Sequence, residues 1–389
     1  MLLVERHLID GTPEIIRLCT QSKELYNKCN FLMRQAWFGG TMLPNINTLI
    51  AAVKNEDCFK NLHNTKTAKQ TVRKCLTDWT NFKKALNAYK KDPSKFLRCP
   101  KPPYYKDKLA QVIFYNETIK GGQSKKNQKL MTITPSNNCF GIKSIRDYKQ
   151  VVITPKTFGF VVDVQYERES KKEKVSKDKV LCIDIGVNNL ATITSGQLGR
   201  PILVNGRILK SVNRLYNKHP NKRTSRKRYF QIENYFHHAS KFIVGLCIKH
   251  GIGRIIIGKN DGWKQEVKMR KPQKQNFQYI PFYRFIEKVK YKATLAGIVV
   301  DFTEEAYTSK ASFLDRDELP VWDAKPPHLS GTRNKGIYKT FRPIHADVNG
   351  SLNIGRKVIG DKVYETFLDR SIAAMPVRVN PLKFSAYNG

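Results

Sequence analysis

Apolar positions change their spacing several times along this chain. Leu2, Leu3 and Val4 form a short run that predicts a strand. From about Pro13 to Tyr89 the spacing is helical, with Ile15, Leu18, Leu25, Leu32, Trp37, Leu76, Trp79, Phe82 and Leu86 marking buried faces. Gly39, Gly40 and Pro44 separate helices there rather than domains. Prolines break the segment KKDPSKFLRCPKPPYYKDK (90–108). Residues 111–170 then read as strands in VIFYN, KLMTITP, QVVITP and FGFVVDVQY. The run ESKKEKVSKDK (169–179) has no apolar period and reads as a solvated linker.

Beyond it the order changes. VLCID (180–184), LATIT (190–194) and PILV (201–204) predict three strands. A helix follows with Arg207, Lys210, Arg214 and Lys218 on one basic face, ended by Pro220. The next helix carries an apolar stripe of Tyr229, Ile232, Phe236, Ala239, Ile243 and Leu246. RIIIG (254–258) reads as a buried strand, about 281–296 as a helix, IVVDFT (298–303) as a strand and DVNGSLNIGRKV (347–358) as a helix. Three strands, a helix, then alternating strands and helices is the order of an RNase H-like α/β layer. No internal repeat is visible.

Composition narrows the partners. The 389 residues leave room for two or three domains, and 40% hydrophobic with 11% aromatic residues supplies real cores. No run of about 18 apolar residues predicts a membrane span. MLLVERHLID meets charge too early for a signal peptide, so a cytoplasmic, nucleoid-associated protein of a bacterial or archaeal cell is expected. Eight cysteines stand singly with no CxxC, which points to reduced thiols and to neither a disulfide framework nor a zinc ribbon. Seventy Lys and Arg against 32 Asp and Glu give a formal charge of +38, which calls for a polyanion, and nucleic acid is the usual one. No basic amphipathic helix or lipidation motif favours a membrane partner. Residues 51–150 carry 22 basic and 7 acidic side chains, and 201–300 carry 22 and 4. Residues 301–350 carry 7 and 8, so acid gathers in one late segment.

Phosphodiester cleavage commonly uses two divalent ions about 4 Å apart, held by several carboxylates on rigid elements. Asp184 ends an apolar strand, Asp347 opens the last helix, and Glu304 and Glu305 follow the 298–303 strand. Each alone also reads as a turn former or a helix cap. Neighbours in a strand point to opposite faces, so only one of the two glutamates faces such a site.

CIDIGVNNLATIT (182–194) resembles the first RuvC motif of the TnpB family, and HADVNGSLNI (345–354) resembles the third. These are transposon-encoded RNA-guided nucleases related to type V CRISPR effectors and eukaryotic Fanzors. QNFQYIPFYRFIEKVKYKATLAGI (275–298), AYTSKAS (306–312) and, more weakly, CPKPPYYKDK (99–108) are similar to further family blocks. The resemblance implies a multidomain α+β fold. Residues 178–389 would form the RNase H-like (RuvC) α/β nuclease domain. Residues 1–10 and 95–177 would form a β-barrel wedge domain, with 11–94 inserted as a helical recognition lobe. It further implies two Mg2+ ions on Asp184, Glu305 and Asp347, a guide RNA from the transposon end, and target double-stranded DNA cut beside a short adjacent motif.

Two departures stand out. The family's second-motif glutamate would end the RIIIG strand, where this chain has Gly258. Glu305 matches the place of a rearranged glutamate seen in Fanzor-like relatives, with Glu304, Asp261 and Glu266 as the other acids to weigh. The family's zinc ribbon is also missing its ligands. Ser312 and Asp315 stand where the first Cys pair would be, and 311–346 hold no Cys. His328 and His345 alone make no tetrahedral site, so a degenerate insert without zinc is expected at about 311–344.

For nucleic-acid contacts the residues of choice are the face Arg207, Lys210, Arg214 and Lys218 and the cluster Lys222, Arg223, Arg226, Lys227 and Arg228. No acid interrupts 206–230. Tyr104 and Tyr105 lie between Lys101 and Lys106, suited to stacking on an unpaired base or to packing in a Pro-rich turn. His237, His238 and Trp263 carry no assignment. Two other readings stay open: an RNA-guided DNA-binding regulator with an inactive RuvC site, and a DNA-only recombinase on the same fold.

Overall fold

The computed structural model describes residues 1–115, 122–123, 129–130, 142, 148–171, 173–259, 279–320, 329–334, 336–339, 343–361 and 375–383. They belong to two units, Met1–Arg168 and Glu169–Gly389.

The first unit begins with strand β1 (Leu2–Ile9), followed by helices α1 (Pro13–Phe38), α2 (Ile46–Val53), α3 (Asp57–Lys60) and α4 (Thr65–Lys91). Strands β2 (Val112–Tyr115), β3 (Gly122–Gln123), β4 (Lys129–Leu130), β5 (Tyr148–Lys156) and β6 (Gly159–Glu167) complete it. Thr12 starts α1 by accepting from the Ile15 N–H, with Pro13 in the first turn. Asn64 caps α4 through the Thr67 N–H. Both helices bury residues at spacings of three and four, among them Ile15, Leu18 and Leu25, then Val72 and Trp79. These meet Val151, Ile153, Val162 and Val164, the inward residues of two strands that alternate with period two. Helices and sheet thus share one core. Among the described residues the strands form an open antiparallel sheet, ordered β1-β6-β5-β2, and no closed barrel is seen.

The second unit holds β7 (Ser176–Asp184), β8 (Asn189–Thr194), β9 (Ile202–Asn205), α5 (Arg207–Lys218), α6 (Lys222–Lys249) and β10 (Ile252–Gly258). After these come α7 (Phe282–Leu295), β11 (Val299–Thr303), β12 (Thr332–Asn334), β13 (Ile337–Lys339), β14 (Ile344–His345), α8 (Ala346–Ile359) and β15 (Val377–Val379). Six strands share a sheet in the order β11-β10-β7-β8-β9-β15. The three consecutive antiparallel strands and the two later strands expected from the sequence therefore lie together, β10 and β11 running parallel to β7. The chain's late segment adds β15 at the far edge, parallel to β9.

One expectation needs correcting. The run 169–179 is not a free linker: the Lys171 N–H donates to the Leu295 carbonyl at 2.9 Å, and Ser176 opens β7 by donating to the Gly251 carbonyl at 2.9 Å. Lys171, Lys174 and 177–179 are exposed, while the main chain at Lys171 and Ser176 is bonded within the second unit.

Alternation in β7 and β10 divides the sheet's two faces. Leu181, Ile183, Ile255 and Ile257 pack under α6 and α7 beside Phe236, Ile243, Phe285 and Val289. Cys182 and Ile256 point the other way, against Ile354 of α8. Asp184 shares the parity of Cys182 and so falls on the α8 side. Among the described residues no helix is long and apolar enough to cross a membrane.

Candidate active site

Three neighbouring parallel strands stop at one edge of the sheet: β7 at Asp184, β10 at Gly258 and β11 at Thr303. Register aligns them, with Ile257 opposite Ile183 and Gly258 opposite Thr303. The carboxyl ends of parallel strands are where α/β sheets commonly bind ligands.

Asp184 lies against α8 because α8 has a gap there. A Cβ on Gly350 would stand 2.8 Å from Asp184 Oδ2, closer than a side chain tolerates. Burial raises the Asp184 carboxyl well above the usual range, and the negative charges of Glu305 and Asp347 push it the same way. Arg333 and the Ile185 N–H oppose this shift. Asp347 sits in the first turn of α8, where its N–H reaches Nδ1 of His345 at 3.3 Å. Both its oxygens are engaged. Oδ2 accepts from Asn189 Nδ2 at 2.7 Å and Oδ1 from Arg333 Nη2 at 2.6 Å.

Glu305 reaches the site from just beyond β11. It occupies the room left by Gly258: a Cβ there would stand 2.8 Å from Glu305 Oε1 and 2.9 Å from its Cγ. Burial pushes the Glu305 carboxyl up to about 7. Glu304 is turned elsewhere and accepts from Lys357 Nζ at 2.9 Å. Thr308 holds the Glu305 carbonyl through its N–H at 3.2 Å and its hydroxyl at 2.9 Å. Two buried asparagines of α8 then pin the following turn. Asn349 bonds the Phe313 N–H at 2.9 Å and the Ala311 carbonyl at 2.7 Å, and Asn353 donates to the Thr308 carbonyl at 2.9 Å. The helix that carries Asp347 thereby also fixes the loop that carries Glu305. Asp261, Glu266, Trp263 and His328 lie outside the described residues.

Residues 282–354 match the protein family described as Cas12f1-like, TNB domain. The matched stretch runs from α7 into α8 and contains Glu305 and Asp347, but not Asp184. Comparison of the sequence with curated proteins gives no match. A solved Cas12f1–sgRNA–target DNA complex is similar at 12% identity and a TM-score of 0.49, over 88% of this chain and 82% of that one. A CRISPR-Cas12f ternary complex is similar at 13% identity and a TM-score of 0.34, over 88% and 80%. At these scores the likeness is too slight to carry an inference.

Ser312 and Asp315, the positions singled out in the sequence, belong to a hydrogen-bonded knot. Ser312 donates through its hydroxyl to Asp315. The nearly buried Asp317 carboxylate accepts from the Ser312 N–H at 2.7 Å, the Ser330 N–H at 3.1 Å and the Ser330 hydroxyl. Arg356 of α8 donates to the Asp317 carbonyl at 2.8 Å.

The basic residues divide by exposure. Arg207, Arg214, Lys218, Lys222, Arg223, Arg226 and Lys227 are exposed on α5 and the start of α6. Lys210 is half-buried and donates to Asn188 Oδ1 at 2.9 Å. Arg228 is tied inward, donating to Asn213 Oδ1 and to the Tyr279 carbonyl, both at 2.7 Å. Tyr104 and Tyr105 are exposed. His237 engages Lys288 of α7 at 3.0 Å. Sequence reasoning missed Arg333, Asn189, Gly350 and Thr308. Of these only Asn189 leaves a trace, as a polar residue opening an otherwise apolar strand.

Proposed function

We propose that the chain is a TnpB-like, RNA-guided DNA endonuclease that cuts double-stranded DNA at a RuvC-type carboxylate site. One observation carries the reading: Glu305 fills the place vacated at Gly258 and adds its charge to that felt by Asp184. The acid that the resemblance would place at this strand end would thus be supplied, in nearly the same space, by Glu305. Support comes from the strand order of an RNase H-like layer, the Cas12f1-like match over 282–354 and the net charge of +38.

The donor set suits Mg2+, since all three groups are hard carboxylate oxygens. Among the described residues no three acids, His or Cys stand converged as a ready cage. Asp347 Oδ1 holds Arg333 instead. Asp184, Glu305 and Asp347 would hold the ions. Bound Mg2+ would supply Lewis-acid activation of water and neutralise charge at the phosphate. The chain's own part is to crowd negative charge in a half-buried pocket, so that deprotonating Asp184 and Glu305 is costly until a cation arrives. Base pairing by a guide RNA from the transposon end would choose the sequence, and the exposed Lys and Arg of α5 and α6 would hold backbone phosphates.

A second reading, an RNA-guided DNA-binding regulator, has one observation in its favour: both Asp347 oxygens are already engaged. The test is cleavage of a plasmid library with randomised flanks by protein co-expressed with its native 3′ flank. Wild type is compared with Asp184→Ala and Glu305→Ala. Guide-directed, Mg2+-dependent cuts lost in both variants support the nuclease. Target binding without any cut by wild type sinks it and leaves the regulator. Failure to retain RNA through a high-salt purification would instead favour a DNA-only recombinase.

A further inference from the structure

The first unit presents a rigid aromatic surface that the carboxylate chemistry does not use. Tyr104 is 67% exposed, Tyr105 48% and Phe38, the last residue of α1, 67%. Exposed rings in a Pro-rich turn are ordinarily incidental, but this turn is held with unusual thoroughness. Asn27 of α1 clamps Lys106 in both directions, accepting its N–H at 2.7 Å and donating to its carbonyl at 2.9 Å. Asn30 donates to the Pro103 carbonyl at 3.1 Å and is itself fixed by the Trp79 indole N–H at 2.8 Å. Arg34 donates to the same Pro103 carbonyl at 2.9 Å. The main chain is therefore fastened immediately before and after the two tyrosines, while their rings are left in solvent.

Arg34 links two of the rings. Its guanidinium lies over the Phe38 ring, 5.2 Å from the centroid, and over the Tyr105 ring at 5.5 Å. The approach is cationic as well. Residues 90–101 carry five basic side chains, Lys90, Lys91, Lys95, Arg98 and Lys101, against Asp92 alone. Asp92 is already paired with Lys95 at 3.1 Å. Preorganised aromatic faces beside a basic run have the chemistry of a stacking site for nucleobases with adjoining phosphates. A duplex hides its base faces within its own stack, so the fitting partner is unpaired.

We propose that Phe38 and Tyr105, joined by Arg34, form with the neighbouring exposed Tyr104 a stacking platform for unpaired bases of a single-stranded nucleic acid. Stacking contacts the base face and is indifferent to the sugar, so RNA and DNA single strands serve alike. Fastening the turn in advance removes part of the ordering cost that binding would otherwise meet. The phosphates are left to the basic run.

The test uses the full chain, stripped of nucleic acid and kept in EDTA, so that it reads nothing of phosphodiester cleavage. Short RNA and DNA single strands carrying 2-aminopurine, and a matching duplex, are titrated at several salt concentrations. Tyr104→Ala with Tyr105→Ala is expected to weaken single-strand binding by about tenfold or more and to abolish the fluorescence quench of a stacked base. The salt slope should stay as in wild type, because no phosphate contact is removed. Tyr104→Phe with Tyr105→Phe should bind as wild type, since the ring and not the hydroxyl is used. Phe38→Ala, on a separate element, should weaken the same strands. Wild-type affinity in the alanine pair, an equal loss for the duplex, or a lowered salt slope would each overturn the platform.

Discussion

The Glu305 carboxylate stands where a side chain on Gly258 would begin, its Oε1 2.8 Å from the position of a Cβ at 258. Gly258→Ala should therefore displace Glu305, and Ile354 as well, whose Cδ1 would be 2.5 Å from the new carbon. The expected result is at least tenfold slower cleavage with a stability loss of about 1–3 kcal/mol. Gly258→Glu combined with Glu305→Gly, which returns the acid to the strand end, should recover part of the rate lost by either change alone.

Gly350→Ala separates geometry from folding. Ala normally stabilises a helix interior by about 1 kcal/mol over Gly. Here its Cβ would press on Asp184 Oδ2. The helix gain and the clash should largely offset, leaving the melting temperature within a few degrees of wild type with reduced cleavage, and wild-type cleavage would show that the close approach is not used.

Protonation of the site follows from burial. Glu305 binds its proton more tightly in the folded chain, at about 7, than at its ordinary 4.5. The unfolded state therefore holds fewer protons between these values, and stability falls as pH rises through them. Asp184 shifts in the same direction. In EDTA, wild type should lose melting temperature from about pH 5 to about pH 8, and Glu305→Gln should lose less. Added Mg2+ should raise the wild-type melting temperature more at the higher pH.

In the proposed site Arg333, paired with Asp347, would compete with a cation for that carboxylate. Arg333→Gln should lower the Mg2+ concentration needed for half-maximal cleavage several-fold. A raised requirement would mean that Arg333 assists the site rather than closing it.

Arg214 and Lys218 are exposed, whereas Arg228 is tied to Asn213 and Tyr279. Arg214→Ala with Lys218→Ala should lower nucleic-acid affinity and reduce the log–log salt slope by about 1 per charge. Arg228→Ala should instead lower the melting temperature, measured without nucleic acid.

Much of this was legible in the chain. The alternation Leu181, Cys182, Ile183 announced a strand buried on both faces, and the same parity carried Asp184 to the α8 side. Gly258 could be read as unable to bind metal. Glu305 was already the expected substitute through the family resemblance, but its close approach to Gly258 was not readable, because the contact joins residues separated by a helix and a strand. The clamp from Asn27 and Asn30 to residues 103–106 left no mark either, since it runs from side chains to main chain, which has no compositional signature. Main-chain commitment likewise hid the true role of 169–176. Strand β15 was signalled only by Val377 and Val379, too short a period to stand out.

The Ser312–Asp317–Ser330 knot has a consequence for how the chain meets its surroundings. A ribbon closed by thiolates folds only where zinc is supplied and opens to chelators and oxidants. Here the same stretch is drawn together by a carboxylate, two hydroxyls and main-chain N–H groups. The described bonds would hold without a thiolate, so this part of the stretch would not open with a change in thiol redox state.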